Sequence, residues 1–198
     1  MTKEEPRKGT TERETGETSV SVEFVVDGEG EADVDTGVAF LDHMLGAVAK
    51  HGLFDLTVDA EGDLETGDHH TVEDTAIVFG HAFADAVGDG AGIERFGDRR
   101  APLDEAVASA VVDVSGRGQA FVSLDLERDA VGDLTNEMVP HFFGSFARNA
   151  GVTLHVEADG ENDHHIVEAA FKAFALALDD ATRYDGRRDD VPSTKGEL

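Results

Sequence analysis

With 198 residues, 43 acidic against 16 basic side chains and a formal net charge of −27, the chain has no positive face for nucleic acid or an anionic membrane. Cysteine is absent, which excludes a disulfide framework, a thiolate metal site and a thiol nucleophile. No apolar run approaches the roughly 18 residues of a membrane span and the N-terminus lacks an apolar signal core, so a single-domain cytoplasmic protein is expected.

The acidic residues are scattered along the chain rather than gathered in a tail. That is the pattern of a heavily charged, solvated surface, such as proteins of a very salty cytoplasm use to stay soluble, with an acidic partner-binding face as the alternative. Residues 1–16 are polar and charged and read as a mobile tail that ends where Glu17 enters a strand. Val20, Val22 and Phe24 alternate with polar residues, the period of a strand. Asp27 to Gly30 reads as a turn and Ala32 to Asp35 as a returning strand. Phe40 opens a helix that runs to about Lys50 or His51, with Gly52 as its stop. Phe54 to Ala60 alternates again, and a loop leads into a helix from His69 to Val87 whose Val72, Ala76, Phe79 and Phe83 keep near-helical spacing.

The second half repeats this order: strands Val107–Val114 and Ala120–Leu126, a helix over 137–148, a strand Val152–Ala158 and a helix from about His164 to Tyr184. At an offset of 98, His43 meets His141 and Leu56, Val58 and Ala60 meet Leu154, Val156 and Ala158. At an offset of 88, Glu17, Gly28 and Gly30 meet Glu105, Gly116 and Gly118. The pattern predicts an α+β fold made of a tandem duplicated half-domain, residues 17–88 and 105–184, with helices packed on mainly antiparallel sheets.

At an offset of 95 the repeat superimposes two HHxxE clusters, His69-His70-Thr71-Val72-Glu73 and His164-His165-Ile166-Val167-Glu168. On a helix, residues four apart share a face and the next residue turns away by about 100°. His69 can therefore grip an ion with Glu73, and His164 with Glu168, while His70 and His165 point toward a second ion. His43 and His141 are the natural further ligands. The partition expected from the halves places His43, His69, Glu73 and His165 on one ion and His70, His141, His164 and Glu168 on the other. Imidazole-rich ligation with a carboxylate suits Mn, Fe, Co, Ni or Zn better than Mg or Ca. A lone HHxxE at a helix start is usually a surface feature; two in register, each with a matching third histidine, are far more specific. His51, His81 and His155 lack repeat partners and read as surface or packing residues.

These residues resemble one family, imidazoleglycerol-phosphate dehydratase. The strings FLDHML (40–45), DHHTVEDTAI (68–77), RFGD (95–98), DVSGR (113–117), GENDHHIVEAAFKAFALAL (160–178) and PSTKG (192–196) carry the likeness. The resemblance implies a ribosomal-S5-domain-2-like fold and dehydration of imidazole glycerol phosphate to imidazole acetol phosphate in histidine biosynthesis. It implies two Mn(II) ions holding the substrate imidazole as imidazolate, and a homo-oligomer of 24 subunits built from trimers, with active sites at interfaces. By resemblance Glu17 is the base, and its repeat mate Glu105 assists. Arg95, Arg117, Lys172, Ser193 and Lys195 contact the phosphate substrate, residues 185–198 forming a tail that folds over a site. Without the resemblance, Glu17 would be an exposed strand-edge carboxylate, Arg95 and Arg117 turn-flanking arginines, and Lys172 an ion pair with Glu168 four residues before it. The chain has Ala47 where many members carry Gln, which removes one amide contact to a substrate hydroxyl and leaves the metal chemistry intact. The alternative from another class is a metal-assembled structural or metal-storage oligomer, which would leave the candidate phosphate-binding cations without a role.

Overall fold

The computed structural model describes residues 5–196 and residue 198, so the first four residues of the expected N-terminal tail lie outside the described residues. The first half runs β1 (Lys8–Glu14), β2 (Thr18–Val25), β3 (Ala32–Asp35), α1 (Ala39–Gly52), β4 (Asp55–Gly62) and α2 (His69–Val87). The second runs β5 (Phe96–Leu103), β6 (Ala106–Val114), β7 (Gln119–Leu124), the short strands β8 (Ala130–Val131) and β9 (Leu134–Thr135), α3 (Met138–Ala150), β10 (Val152–Asp159) and α4 (Asp163–Thr182). Each half forms a four-stranded sheet, in the order β1-β2-β4-β3 and β5-β6-β10-β7. With the β8–β9 hairpin set aside, the two orders are the same, which is the duplicated α+β architecture expected from the repeat.

Each half begins one strand earlier than the sequence suggested. Residues expected in a mobile tail form β1, paired antiparallel with β2 from Lys8↔Val25 to Glu14↔Ser19. Its polar composition hid it, because its outer face is solvated and only Gly9 is buried. A Cβ at Gly9 would overlap the carbonyl oxygen of Ala82, so the missing side chain lets β1 lie directly on α2. The same relation recurs between Gly97 of β5 and Ala177 of α4. A second correction concerns β3. It does not return along β2 but pairs parallel with β4, which occupies the edge of β2. In the same way β7 runs parallel to β10.

The helices lie between the sheets. α2 packs on β1 and β2, α4 on β5 and β6, α1 against α4, and α2 against α3. Every helix–helix contact that matters therefore joins opposite halves. Buried phenylalanines cross the same boundary, from Phe24 to Phe79 (5.3 Å between ring centroids), to Phe146 (4.9 Å) and to Phe174 (5.1 Å). Offset and edge-on contacts at these distances are favourable beyond their buried area.

The β8–β9 hairpin has no counterpart in the first half and ties three helix starts together. Asp133 accepts from the backbone N–H groups of Ala39 (2.7 Å) and Phe40 (2.9 Å), the otherwise uncapped start of α1. Asp68, which precedes α2, accepts from Thr135 N–H at 2.6 Å. Asp163, the first residue of α4, accepts from Arg128 N–H (2.9 Å) and Asn136 Nδ2 (2.7 Å). These are the starts of the helices that carry His43 and the two HHxxE clusters. No described helix is long and apolar enough to cross a membrane.

Candidate active site

Helix α2 opens at His69, and its first turns bring His69 and Glu73 to one face, where His141 of α3 meets them. His141 Nε2 is 2.9 Å from Glu73 Oε1, and His69 Nε2 is 3.9 Å from Glu73 Oε2. The donor atoms of the three lie within 4.8 Å of one another. The second group repeats this arrangement with α4 and α1. Glu168 Oε2 is 3.3 Å from His43 Nε2 and 3.2 Å from His164 Nε2. Asn162 caps α4, accepting from His164 N–H at 3.0 Å, and so fixes where the second HHxxE begins.

This overturns the partition drawn from the sequence halves. His43 joins His164 and Glu168, and His141 joins His69 and Glu73. The reason is the packing: α1 rests on α4 and α3 on α2, so each cluster takes its lone histidine from the other half. Both carboxylates are held in their charged form. A hydrogen bond with His141 lowers the Glu73 carboxyl, with the His69 charge adding to it against a smaller opposing effect of burial. Burial alone would raise Glu168, but bonds with Lys172 and His43 outweigh it and leave it below the ordinary value. Two imidazoles and one ionised carboxylate converging this closely fit a divalent transition metal.

His70 and His165 diverge from these clusters, as the helix geometry required. His70 Nδ1 is 3.0 Å from Asp63 Oδ1, while its Nε2 is 3.7 Å from Glu17 Oε2. His165 Nδ1 is 2.8 Å from Glu105 Oε2. Lys172 Nζ sits 2.6 Å from Glu168 Oε1, at the edge of the second cluster, so the simple i,i+4 ion pair is present. Ala47 is buried in the body of α1.

The remaining cations gather elsewhere. Arg95 reaches Asp113 (2.7 Å) and donates through Nη1 to the carbonyl of Pro192 (2.7 Å). Arg117 Nη2 lies 3.6 Å from the same Asp113. Ser193 and Lys195 follow in the tail, where Lys195 N–H donates to Ser193 Oγ at 3.2 Å. This group sits at the far end of α4: Arg95 N–H donates to the carbonyl of Ala181. Ala181 is 13 residues beyond Glu168, roughly 20 Å at about 1.5 Å per residue. One copy of the chain does not bring its own Arg95 to its own His43–His164–Glu168 cluster.

Two residues that sequence reasoning did not single out belong to this picture. Asp113 joins Arg95 to Arg117, and the string DVSGR contained it. Asp63 holds His70 from a loop seven positions upstream, before the helix that carries His70 begins, so helical periodicity does not link the pair.

The family profile described as imidazoleglycerol-phosphate dehydratase matches residues 36–178. An imidazoleglycerol-phosphate dehydratase of Halobacterium salinarum is 56% identical over 193 residues, covering 97% of this chain and 98% of its own. One of Haloarcula marismortui is 54% identical over 192 residues, covering 97% of this chain and 98% of its own. A crystal structure of the enzyme from Pyrococcus furiosus superposes with a TM-score of 0.81 at 35% identity, covering 94% of this chain and 99% of that one. The duplicated HHxxE helices, the fold that pairs them across its two halves and these likenesses agree, and the chain belongs to the imidazoleglycerol-phosphate dehydratase family, hydro-lyases of histidine biosynthesis.

Proposed function

We propose that each His–His–Glu cluster holds one divalent transition metal, Mn(II) by resemblance, and that imidazole glycerol phosphate loses water at a site where the clusters meet Glu17 and the phosphate-binding cations of other copies. The observation that carries this reading is the pair of pseudo-symmetric clusters, each with its donor atoms within 4.8 Å. Metals bound there would supply Lewis acidity to the nitrogens of the substrate imidazole, making the neighbouring carbon chain reactive. His70 and His165, turned outward on the same helices, complete the set of eight ligands from neighbouring copies.

The rest of the reaction falls to the chain's own groups. Glu17 has an exposed carboxylate on the turn between β1 and β2, and it takes the carbon-bound proton. The hydroxyl on the carbon beside the imidazole leaves and, with the proton taken up by Glu17, makes up the water lost; the resulting enol becomes the ketone as its hydroxyl proton is exchanged for one on carbon. Arg95 and Arg117, joined by the shared Asp113, present guanidinium groups to phosphate oxygens, with Ser193 and Lys195 adding donors from the tail. Lys172 keeps Glu168 ionised. The separation of roughly 20 Å along α4 supports a homo-oligomer in which one copy's tail serves another copy's clusters.

The test is direct. Mn(II)-loaded protein is incubated with imidazole glycerol phosphate, bound metal is counted, and the ketone product is followed by its enol absorbance in alkali. The expected result is two Mn(II) per chain and turnover that is lost in Glu17→Gln with metal retained. Turnover without any bound divalent metal, or full turnover in Glu17→Gln, would overturn the reading.

A further inference from the structure

The duplication supplies two equivalent glutamates, Glu17 and Glu105, at equivalent strand turns beside two equivalent histidines, His70 and His165. Their surroundings differ. Glu105 is fully engaged: Oε2 accepts from His165 Nδ1 at 2.8 Å, and Oε1 accepts from the backbone N–H groups of Asn162 (3.0 Å) and Glu161 (3.3 Å). Glu17 cannot take the same position, because the Nδ1 of His70 already belongs to Asp63, at 3.0 Å from Oδ1 and 3.2 Å from Oδ2. Its carboxylate accepts no hydrogen bond among the described residues, is 59% exposed and stands 3.7 Å from the other nitrogen of the ring.

We propose that Asp63 and Glu105 are positioning residues of the same kind, each holding the Nδ1–H of one outward histidine so that its Nε2 lone pair faces a metal, and that Asp63's occupancy of this role is what leaves Glu17 free to act as the base. The inference rests on the metal reading of the clusters above. An imidazole whose Nδ1–H is held by a carboxylate has its tautomer and ring plane fixed, and its other nitrogen becomes the ligand. The first half meets this need with an aspartate from the loop before α2. The second half meets it with the glutamate of the strand turn. Glu105 therefore does not share the base role suggested by its repeat position. Nor is the neighbouring trio Asp104, Glu105 and His165 a third metal site, since both oxygens of Glu105 face N–H groups.

The experiment measures Mn(II) affinity of the full-length assembled protein, stripped and reloaded by equilibrium dialysis, beside kcat at saturating Mn(II). Asp63→Ala and Glu105→Ala are expected to weaken Mn(II) binding by about 10–100-fold, with kcat recovering when metal is saturating. Glu17→Gln is expected to leave affinity within about twofold and kcat low at every metal concentration. Asp63→Asn and Glu105→Gln keep an acceptor oxygen and are expected to restore most of the affinity; where an alanine variant fails to fold, Asp63→Ser and Glu105→Ser, too short to reach the ring, take its place with the same expected loss. Unchanged affinity in both Asp63 variants overturns the proposal for Asp63. Glu105→Gln that binds Mn(II) normally but has lost kcat at saturation makes Glu105 catalytic and overturns the proposal there. A wild-type chain that binds no Mn(II) overturns the metal reading itself, which these outcomes keep separate from the inference.

Discussion

His141 Nε2 lies 2.9 Å from Glu73 Oε1, although one belongs to the second half of the duplication and the other to the first. His43 and Glu168 repeat the relation at 3.3 Å in the opposite sense. Neither of these two clusters is complete within one half.

This predicts which substitutions interact. In a double-mutant cycle read by Mn(II) affinity, His141→Ala and Glu73→Ala should couple by about 1–3 kcal/mol, while His141→Ala and Glu168→Ala should add to within about 0.5 kcal/mol. The converse pattern, with His141 coupled to Glu168, would restore the partition by halves and contradict the packing of α3 on α2.

The sequence displayed the elements better than their partners. α2 begins and ends where the periodicity placed it, and both HHxxE clusters sit on helix starts, because the spacing of histidine and glutamate is a local property. What the pattern did not carry was which helices touch. That depends on how the apolar faces fit together in three dimensions, and nothing in the spacing tells α1 to prefer α4 over α2. The outer strands were missed for a related reason: β1 lies at a sheet edge and buries one glycine rather than an alternating apolar row. Extending the repeat upstream would have shown it, since Gly9 and Gly97 meet at the same offset of 88 that aligns Glu17 with Glu105.

At Gly80, α2 lies directly against the backbone of α3. A Cβ there would sit 2.7 Å from the carbonyl oxygen of Phe146 and 2.9 Å from the backbone nitrogen of Ala150. Helix propensity favours Gly80→Ala by about 1 kcal/mol, but overpacking typically costs about 1–3 kcal/mol. The obstructing atoms are backbone and cannot rotate away, so the clash should win. The expected outcome is a lower melting temperature and weaker Mn(II) binding at the His69–Glu73–His141 cluster alone. A stabilised variant with two unaltered sites would show that the helices have room to separate.

Asp133 acts as a borrowed cap for α1, whose own N-cap residue is Val38 and makes no side-chain bond. Replacing it with alanine leaves two backbone donors without their carboxylate. The expected loss is about 1–2 kcal/mol of stability, in the range of other lost caps, read from the shift of a urea midpoint at constant slope. Asp133→Asn should lose less, since an amide oxygen still accepts. An unchanged midpoint in Asp133→Ala would mean that water replaces the cap without cost.

The charge of −27 should make stability depend on salt. On the first sheet, Glu12 and Asp59 flank Ser21, and Glu14 and Glu61 flank Ser19, so like charges face one another across β2. Salt shortens the screening length from about 10 Å at 0.1 M to about 3 Å at 1 M. We expect the melting temperature to rise steeply with KCl, and full stability in dilute buffer would count against a surface adapted to high salt.

Acid should weaken the fold in part through Asp185. This buried aspartate accepts from Arg187 Nε (2.7 Å) and Nη2 (2.8 Å) and from Arg188 Nε (3.2 Å), and its backbone N–H donates to the carbonyl of Gly92. The Arg187 bond is the main cause that brings its carboxyl down from 3.8 to about 2, against an opposing effect of burial. The folded value lies below the unfolded one, so the carboxylate's contribution is fully present above about 3.8 and is lost as the pH falls toward about 2. Asp185→Asn removes the titrating group. The stability gap between the wild type and this variant should therefore be constant near neutrality, narrow below about pH 4 and close near about pH 2. Tyr184 gives a local readout, being the only tyrosine in a chain without tryptophan, with the Arg7 guanidinium 4.3 Å above its ring. Its fluorescence should follow the same window in the wild type. A gap that stays constant through that window would show that Asp185 carries no linked proton.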